Sequence, residues 1–263
     1  MKGKTMIGRY VPGNSIIHKL DSRAKIATGF YFIIILMMTD TWQAYVALTA
    51  FTCLMIKLTG ISFNYFIKGV KPLLQLIVFT VLLQLFFMRG GHVYFQLGPL
   101  IITRSGILGA IAVFFRFTLT IFMSTVISLT TRPLDLTDAI ESLLAPLKLF
   151  KVSVQDIALM LSIALRFIPT LMDEANRIMK AQQSRGVEFG EGNLFEQMKK
   201  VIPIFLPLFI SSFYRAEEMA NALDVRGYQG NKRRTKFRIQ KWKFQDTMLV
   251  VSYACLTLII IFV

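Results

Sequence analysis

Long hydrophobic runs with few charges alternate with basic stretches along this chain. Five runs, at about 26 to 41, 43 to 59, 73 to 88, 105 to 129 and 244 to 263, are apolar all round rather than along one stripe. A helix hydrophobic on every face needs lipid or packed protein about it. Each run is near the roughly 17 to 25 residues that cross a hydrocarbon core, the first and third at the short end. They predict five transmembrane helices. Trp42, Tyr45 and Trp242 stand at their ends, where amphipathic rings favour the headgroup layer.

Between the fourth and fifth runs lies a polar segment, 132 to 243, whose pattern predicts three further helices. In the first, about 135 to 149, Leu136, Ala139, Ile140, Leu143 and Leu144 follow helical spacing, and Asp135, Asp138 and Glu141 favour its start. Pro146 bends or ends it. The second runs from about Ser153 to Arg185 and the third from about Leu194 to Arg226. Ser153-x-x-Asp156 and Asn193-x-x-Glu196 resemble capping boxes, and Gly186 and Gly227 suit the left-handed residue that closes a helix. At 1.5 Å per residue each is a rod of roughly 50 Å, kinked at Pro169 or at Pro203 and Pro207. Both rods begin apolar, over Ile157 to Leu165 and Val201 to Phe213. Both end charged, through Asp173, Glu174, Arg177 and Lys180, and through Arg215, Glu217, Glu218 and Asp224.

Composition agrees with lipid as the solvent: 54% of the 263 residues are hydrophobic and 23 are phenylalanine. Placement decides the meaning of the net charge of +15. Residues 1 to 25 hold six Lys/Arg, 57 to 71 hold three and 132 to 243 hold eighteen. Only Arg89, Arg104 and Arg116 fall elsewhere. With the amino terminus inside, nearly all positive charge is cytoplasmic, the usual bias of membrane proteins. The charge therefore implies topology, not nucleic acid. The expected organisation is 1–131 as a four-span membrane region with a cytoplasmic start, 132–243 as cytoplasmic or membrane-surface helices, and 244–263 as a last span ending outside. Residues 1 to 25 lack the apolar core of a cleavable signal peptide.

Catalytic chemistry is not evident. Gly3-Lys4-Thr5 imitates the end of a P-loop, but no glycine stands five residues ahead of Gly3 and no strand precedes it. His18 and His92 have no second ligand at metal spacing. Cys53 and Cys255 are single and lie inside spans. Asp173 and Glu174 are neighbours that point to different helix faces, so they read as solvated charges rather than an acid–base pair. The expectation is no catalytic residue, no metal and no cofactor bound by this chain. A self-sufficient secondary transporter needs ionisable groups at membrane depth and repeated halves. Here Arg116 alone is ionisable well inside a span, where it is expected to pair with a backbone carbonyl, a carboxylate or an inserted subunit. Gln75 and Gln84 read as helix–helix glue.

The distinctive motif is a pair. Ser184-Arg185-Gly186 and Val225-Arg226-Gly227 end the two rods, 41 residues apart, and each arginine follows an alanine by four residues (Ala181, Ala222). One Arg-Gly at a helix end is ordinary capping. Two on neighbouring rods of equal length imply two similar receptors, because an arginine tip can form a bidentate pair with a partner's carboxylate.

With these motifs, the span count and the helical insert, essentially the whole chain resembles the transmembrane T component of energy-coupling factor (ECF) transporters. These are ABC-type importers of vitamins and transition-metal ions. The family's short X-Arg-X motifs, often Ala-Arg-Gly, dock into two cytosolic ATPases. This chain matches at arginine and glycine and departs at the first position, with Ser184 and Val225. The resemblance implies an all-α membrane protein with three coupling helices, the last two crossing. It also implies a non-enzymatic subunit of a bacterial-type cell membrane. Its partners would be two ABC-type ATPases, which bind the ATP and Mg, and one small integral-membrane S component or several interchangeable ones. For the apolar rod starts, read as lying at the membrane surface or partly within it, three readings stand. Leu159, Met160, Ile163, Phe205, Leu208 and Phe209 dock the S component, pack against lipid, or are buried against this chain's own spans.

Overall fold

The computed structural model describes residues 10–97, 100–146, 153–190, 192–229 and 242–262. The Gly3-Lys4-Thr5 triplet, the end of the expected 135–149 helix and the basic run at 230–241 lie outside the described residues. Contacts divide the chain into two compact units, Met1–Ala139 with Arg238–Val263, and Ile140–Phe237.

The first unit is built on four helices: α2 (Ser22–Met38), α3 (Trp42–Thr59), α6 (Arg104–Thr130) and α10 (Phe244–Phe262). A short α1 (Ile16–Lys19) precedes them, and α4 (Phe63–Val70) runs through a 3-10 turn at Lys71–Leu73 into α5 (Leu74–Phe87). α6 presents Leu119, Met123, Val126 and Leu129 to the interior, all buried and spaced three or four apart. Phe32 of α2 and Phe51 of α3 pack on Tyr253 of α10. The Phe51 ring lies 4.8 Å from Tyr253 in a T-shaped contact, and the Tyr253 hydroxyl donates to Met123 Sδ at 3.7 Å. Surrounded by lipid, such a bundle gains from close packing and not from escaping water. Glycines permit that closeness. A Cβ on Gly29 of α2 would collide with Ile127 of α6, and one on Gly106 would stand 2.7 Å from the Leu85 carbonyl of α5.

Polar groups close this unit at one end. Asp246 is 1% exposed and accepts from the Asp21 N–H at 2.7 Å and the Lys243 N–H at 2.7 Å. The buried Lys25 ammonium donates to the Thr130 carbonyl at 3.1 Å. Elsewhere, Arg116 donates to the Thr39 carbonyl at 2.8 Å and to Asp40 at 3.1 Å, two of the partners its chemistry requires. Trp42 and Trp242 are exposed. Tyr45 is not: it is 7% exposed and its hydroxyl donates to the Thr39 carbonyl. Hydropathy alone does not reveal a hairpin, β1 (Val93–Leu97) with β2 (Leu100–Thr103), that pairs antiparallel between α5 and α6. Its Val, Tyr, Phe and Ile residues suit strands.

Four described helices are long and apolar enough to cross a membrane: Phe63–Phe87, Arg104–Thr130, Val154–Ser184 and Phe244–Phe262. Three of them carry expected spans. The first two expected spans are α2 and α3, of 17 and 18 residues, which sit at the lower limit of length. Val154–Ser184 is the departure, because its apolar first half outweighs the charged second half that places it in the polar insert.

The second unit contains most of that insert. α7 (Pro133–Leu143) runs across the division between the units and begins on a proline, which suits a first helical turn. α8 (Val154–Ser184) and α9 (Leu194–Val225) are the two rods. Asn193 caps α9, with the Glu196 carboxylate accepting from its N–H at 3.3 Å. At α8 the expected capping box does not form. Ser153 is the N-cap but makes no capping hydrogen bond, and Asp156 accepts instead from the Tyr228 hydroxyl at 3.2 Å.

Candidate functional site

Both rods end in the same motif. Arg185 and Arg226 are the C-cap residues, and Gly186 and Gly227 follow with φ of +86° and +69°. After α8, the Gly186 N–H bonds the Gln183 carbonyl at 3.0 Å and the Val187 N–H bonds Gln182 at 3.1 Å. After α9, the Gly227 N–H bonds Asp224 and the Tyr228 N–H bonds Leu223, both at 2.9 Å. This crossed pair of bonds is the Schellman motif, which needs a left-handed residue at the glycine position. Nothing lies within 4 Å of a Cβ added at either glycine, so the backbone angle and not space requires them.

The motif also sets the arginines. All three residues of each triplet are exposed, Val225 at 90%. Among the described residues neither guanidinium forms a salt bridge with a carboxylate. A guanidinium held at a fixed helix end and left unpaired is ready for a bidentate acceptor.

The rods pack in opposite directions. Tyr228, just past the end of α9, reaches Asp156 in the first turn of α8, while the Arg215 guanidinium pairs with Glu174 at 2.6 Å further along. Glu174 precedes Arg185 by as many residues as Arg215 precedes Arg226, so the ion pair joins equivalent positions of the two rods. Glu174 is therefore not the purely solvated charge its sequence suggests; its side chain is 24% exposed. This arrangement separates the arginine tips. Arg226 lies near the start of α8 and Arg185 at its end, a helix of roughly 40 Å between them. One small receptor cannot bridge that distance.

The six apolar docking candidates do not stay together. Met160, Phe205 and Phe209 are exposed, whereas Leu159, Ile163 and Leu208 are half-buried. Ile163 faces the other rod, lining an apolar cavity of about 300 Å³ with Phe167, Leu171, Met219 and Leu223. Phe205 stacks on Phe209 with centroids 6.0 Å apart, and Phe209 meets Phe213 edge-on at 4.8 Å. Around this aromatic ladder Ile202, Leu206 and Ile210 are exposed as well. Reading every third and fourth position from Phe195 would have found them.

A family model described as cobalt transport protein (CbiQ) matches residues 13–237. The energy-coupling factor transporter transmembrane protein EcfT 1 of Listeria monocytogenes is 56% identical over 254 residues, covering 97% of this chain and 96% of its own. The EcfT proteins of Lacticaseibacillus paracasei and Bacillus subtilis are 50% and 42% identical, over 97% and 100% of this chain and 96% and 99% of theirs. Helical architecture, membrane-length helices and identity over nearly the full length agree: the chain belongs to the EcfT family and is the transmembrane component of an energy-coupling factor transporter.

Proposed function

We propose that this subunit carries the motion of two cytosolic ATPases to a substrate-binding S component. Arg185 and Arg226 each dock one ATPase, and the exposed aromatic face of α9 meets the S component. The ATP and Mg belong to the ATPases, and the cargo, a vitamin or other micronutrient, to the S component. The observation that carries this reading is the repeated tip: two unpaired arginines on identical Schellman ends, far enough apart for two receptors. ATP binding draws the ATPases together, the tips follow, and the rods tilt the S component. The rods transmit the movement as a linked pair because Glu174 and Arg215 tie equivalent points. The protein belongs in the bacterial cell membrane, with its amino terminus and coupling helices inside and its carboxyl terminus outside.

Losing a buried, charge-assisted interface pair costs roughly 2 to 5 kcal/mol. Arg185→Ala combined with Arg226→Ala is therefore expected to abolish ATP-driven uptake and release the ATPases in pull-downs. Single variants are expected to be milder, since two tethers act together. Normal uptake by the double variant rejects the reading. Orientation has its own test in a background lacking Cys53 and Cys255. A cysteine at Phe262 is expected to react with an impermeant reagent from outside, and one at Glu188 only after permeabilisation. Uptake by the chain alone in vesicles would instead identify a secondary transporter.

A further inference from the structure

Where α2 begins, α6 ends and α10 begins, a polar cavity of about 540 Å³ opens. Its walls carry Lys19, Lys25, Arg132 and Lys243. Two carboxylates share the lining, Asp21 and Asp135. The first accepts from the Arg23 N–H at 2.9 Å. Below them the buried Asp246 is engaged by the Asp21 and Lys243 backbones. The lining thus carries four Lys/Arg against two carboxylates, with Asp246 buried nearby, an excess of positive charge that suits an anionic phosphodiester.

Thr131 supplies an independent sign of a ligand. It is 3% exposed, it lines the cavity, and its hydroxyl has no hydrogen-bond partner among the described residues. Buried polar groups are nearly always paired, and of the residues whose buried side-chain atoms lack a partner, Thr118 and Thr120 among them, only Thr131 lines this cavity. Lys25 is buried as well and commits one ammonium hydrogen to the Thr130 carbonyl, leaving further donors.

We propose that this cavity seats the phosphate of an anionic membrane lipid. Its position selects a lipid over a free phosphate. It lies at the ends of three apolar helices, the level at which headgroups sit. Beside it Ile16, Trp242 and Phe244 are exposed, and Met248 and Val251 continue an exposed apolar face along α10 for acyl chains. The inference uses none of the coupling surfaces and stands apart from the function proposed above.

Native mass spectrometry of the full chain in detergent tests it, with phosphatidylglycerol and phosphatidylcholine added separately. The wild type is expected to retain one phosphatidylglycerol and to release phosphatidylcholine. Arg132→Gln with Lys243→Gln, both exposed positions, is expected to weaken retention at least tenfold. Thr131→Val is the sharper probe. A purely structural hydroxyl would leave lipid retention unchanged, whereas a ligand contact lowers it several-fold without lowering the melting temperature of the lipid-free protein. Equal retention of the two lipids, or wild-type retention in either variant, overturns the proposal. Displacement of phosphatidylglycerol by millimolar inorganic phosphate would reject the lipid and assign the cavity to the free ion.

Discussion

Helices α6 and α9 are both long and rich in phenylalanine, yet they differ in what they bury. α6 buries seven residues against its neighbours, among them Leu119, Met123, Val126 and Leu129 on one face. Among its described side chains α9 buries none, and Phe205 is 62% exposed and Phe213 63%. Nor is α9 among the helices apolar enough to cross a membrane. Its hydrophobic stretch, 201 to 213, is too short for a span and is followed by Arg215, Glu217 and Glu218. Leaving large apolar side chains in water costs roughly 1.5 to 3 kcal/mol each. An apolar surface that the described residues do not cover, on a stretch too short to span the bilayer, is open to a partner or to the membrane surface. The same composition is packed inward in one helix and left exposed in the other.

That contrast breaks most sharply under an introduced charge. Val126→Asp places an unpaired carboxylate where the side chain is 1% exposed, a cost of several kcal/mol. It is expected to remove the folded protein from size-exclusion profiles. Phe205→Asp lies on an exposed face, so the melting temperature is expected to stay nearly unchanged. Pull-downs should nonetheless lose the S component and keep the ATPases. Loss of both partners with poor expression would show that the α9 face is core after all. Ile163 is the weaker probe, because it lines the cavity between the rods and its substitution would disturb their packing.

The next effect is smaller and concerns the tips. At φ of +86° and +69°, alanine in place of Gly186 or Gly227 enters a left-handed conformation costing about 1 to 2 kcal/mol. Both Schellman bonds loosen together. Hydrogen exchange at the Val187 and Tyr228 amides is expected to quicken about tenfold, a factor that corresponds to 1.4 kcal/mol. Asparagine at the same positions should do less, since it tolerates that region better. Unchanged exchange in the alanine variants would mean that the glycines do not set the tip geometry.

Much of this was legible because period and punctuation are local. Continuous apolar runs located α2, α3, α5, α6 and α10, and Gly186 and Gly227 located the rod ends within a residue. What needs two distant segments at once was not legible. Nothing in the spacing of Ser153 and Asp156 says that Tyr228 will take the carboxylate and leave the cap unmade. Tyr45 sits where a membrane-edge aromatic belongs, yet the Thr39 carbonyl draws it inward. Ile163 and Phe205 look alike in sequence, and only the packing of the rods sends one inward and leaves the other out. The pairing of Glu174 with Arg215 was missed although a signal existed: the same 41-residue offset relates both the arginine tips and this oppositely charged pair.

That pair yields the smallest expected effect and the finest test of whether the rods move as one. Its side chains are 24% and 33% exposed, so solvent screens it and removing either partner is expected to cost only about 1 kcal/mol. Stability is therefore a poor readout, and coupling is the better one. Glu174→Arg or Arg215→Glu alone puts like charges at the contact and should slow ATP-driven uptake more than it lowers the melting temperature. The double exchange restores an opposite pair with its polarity inverted. If the link between the rods is electrostatic, uptake recovers in the double variant, and a double-mutant cycle returns an interaction of 0.5 kcal/mol or more. Additive losses, with no recovery, would mean that Arg215 acts through its contact with Ser211 or through the cavity it lines, and that the rods are held together by Phe167, Leu171, Met219 and Leu223 instead.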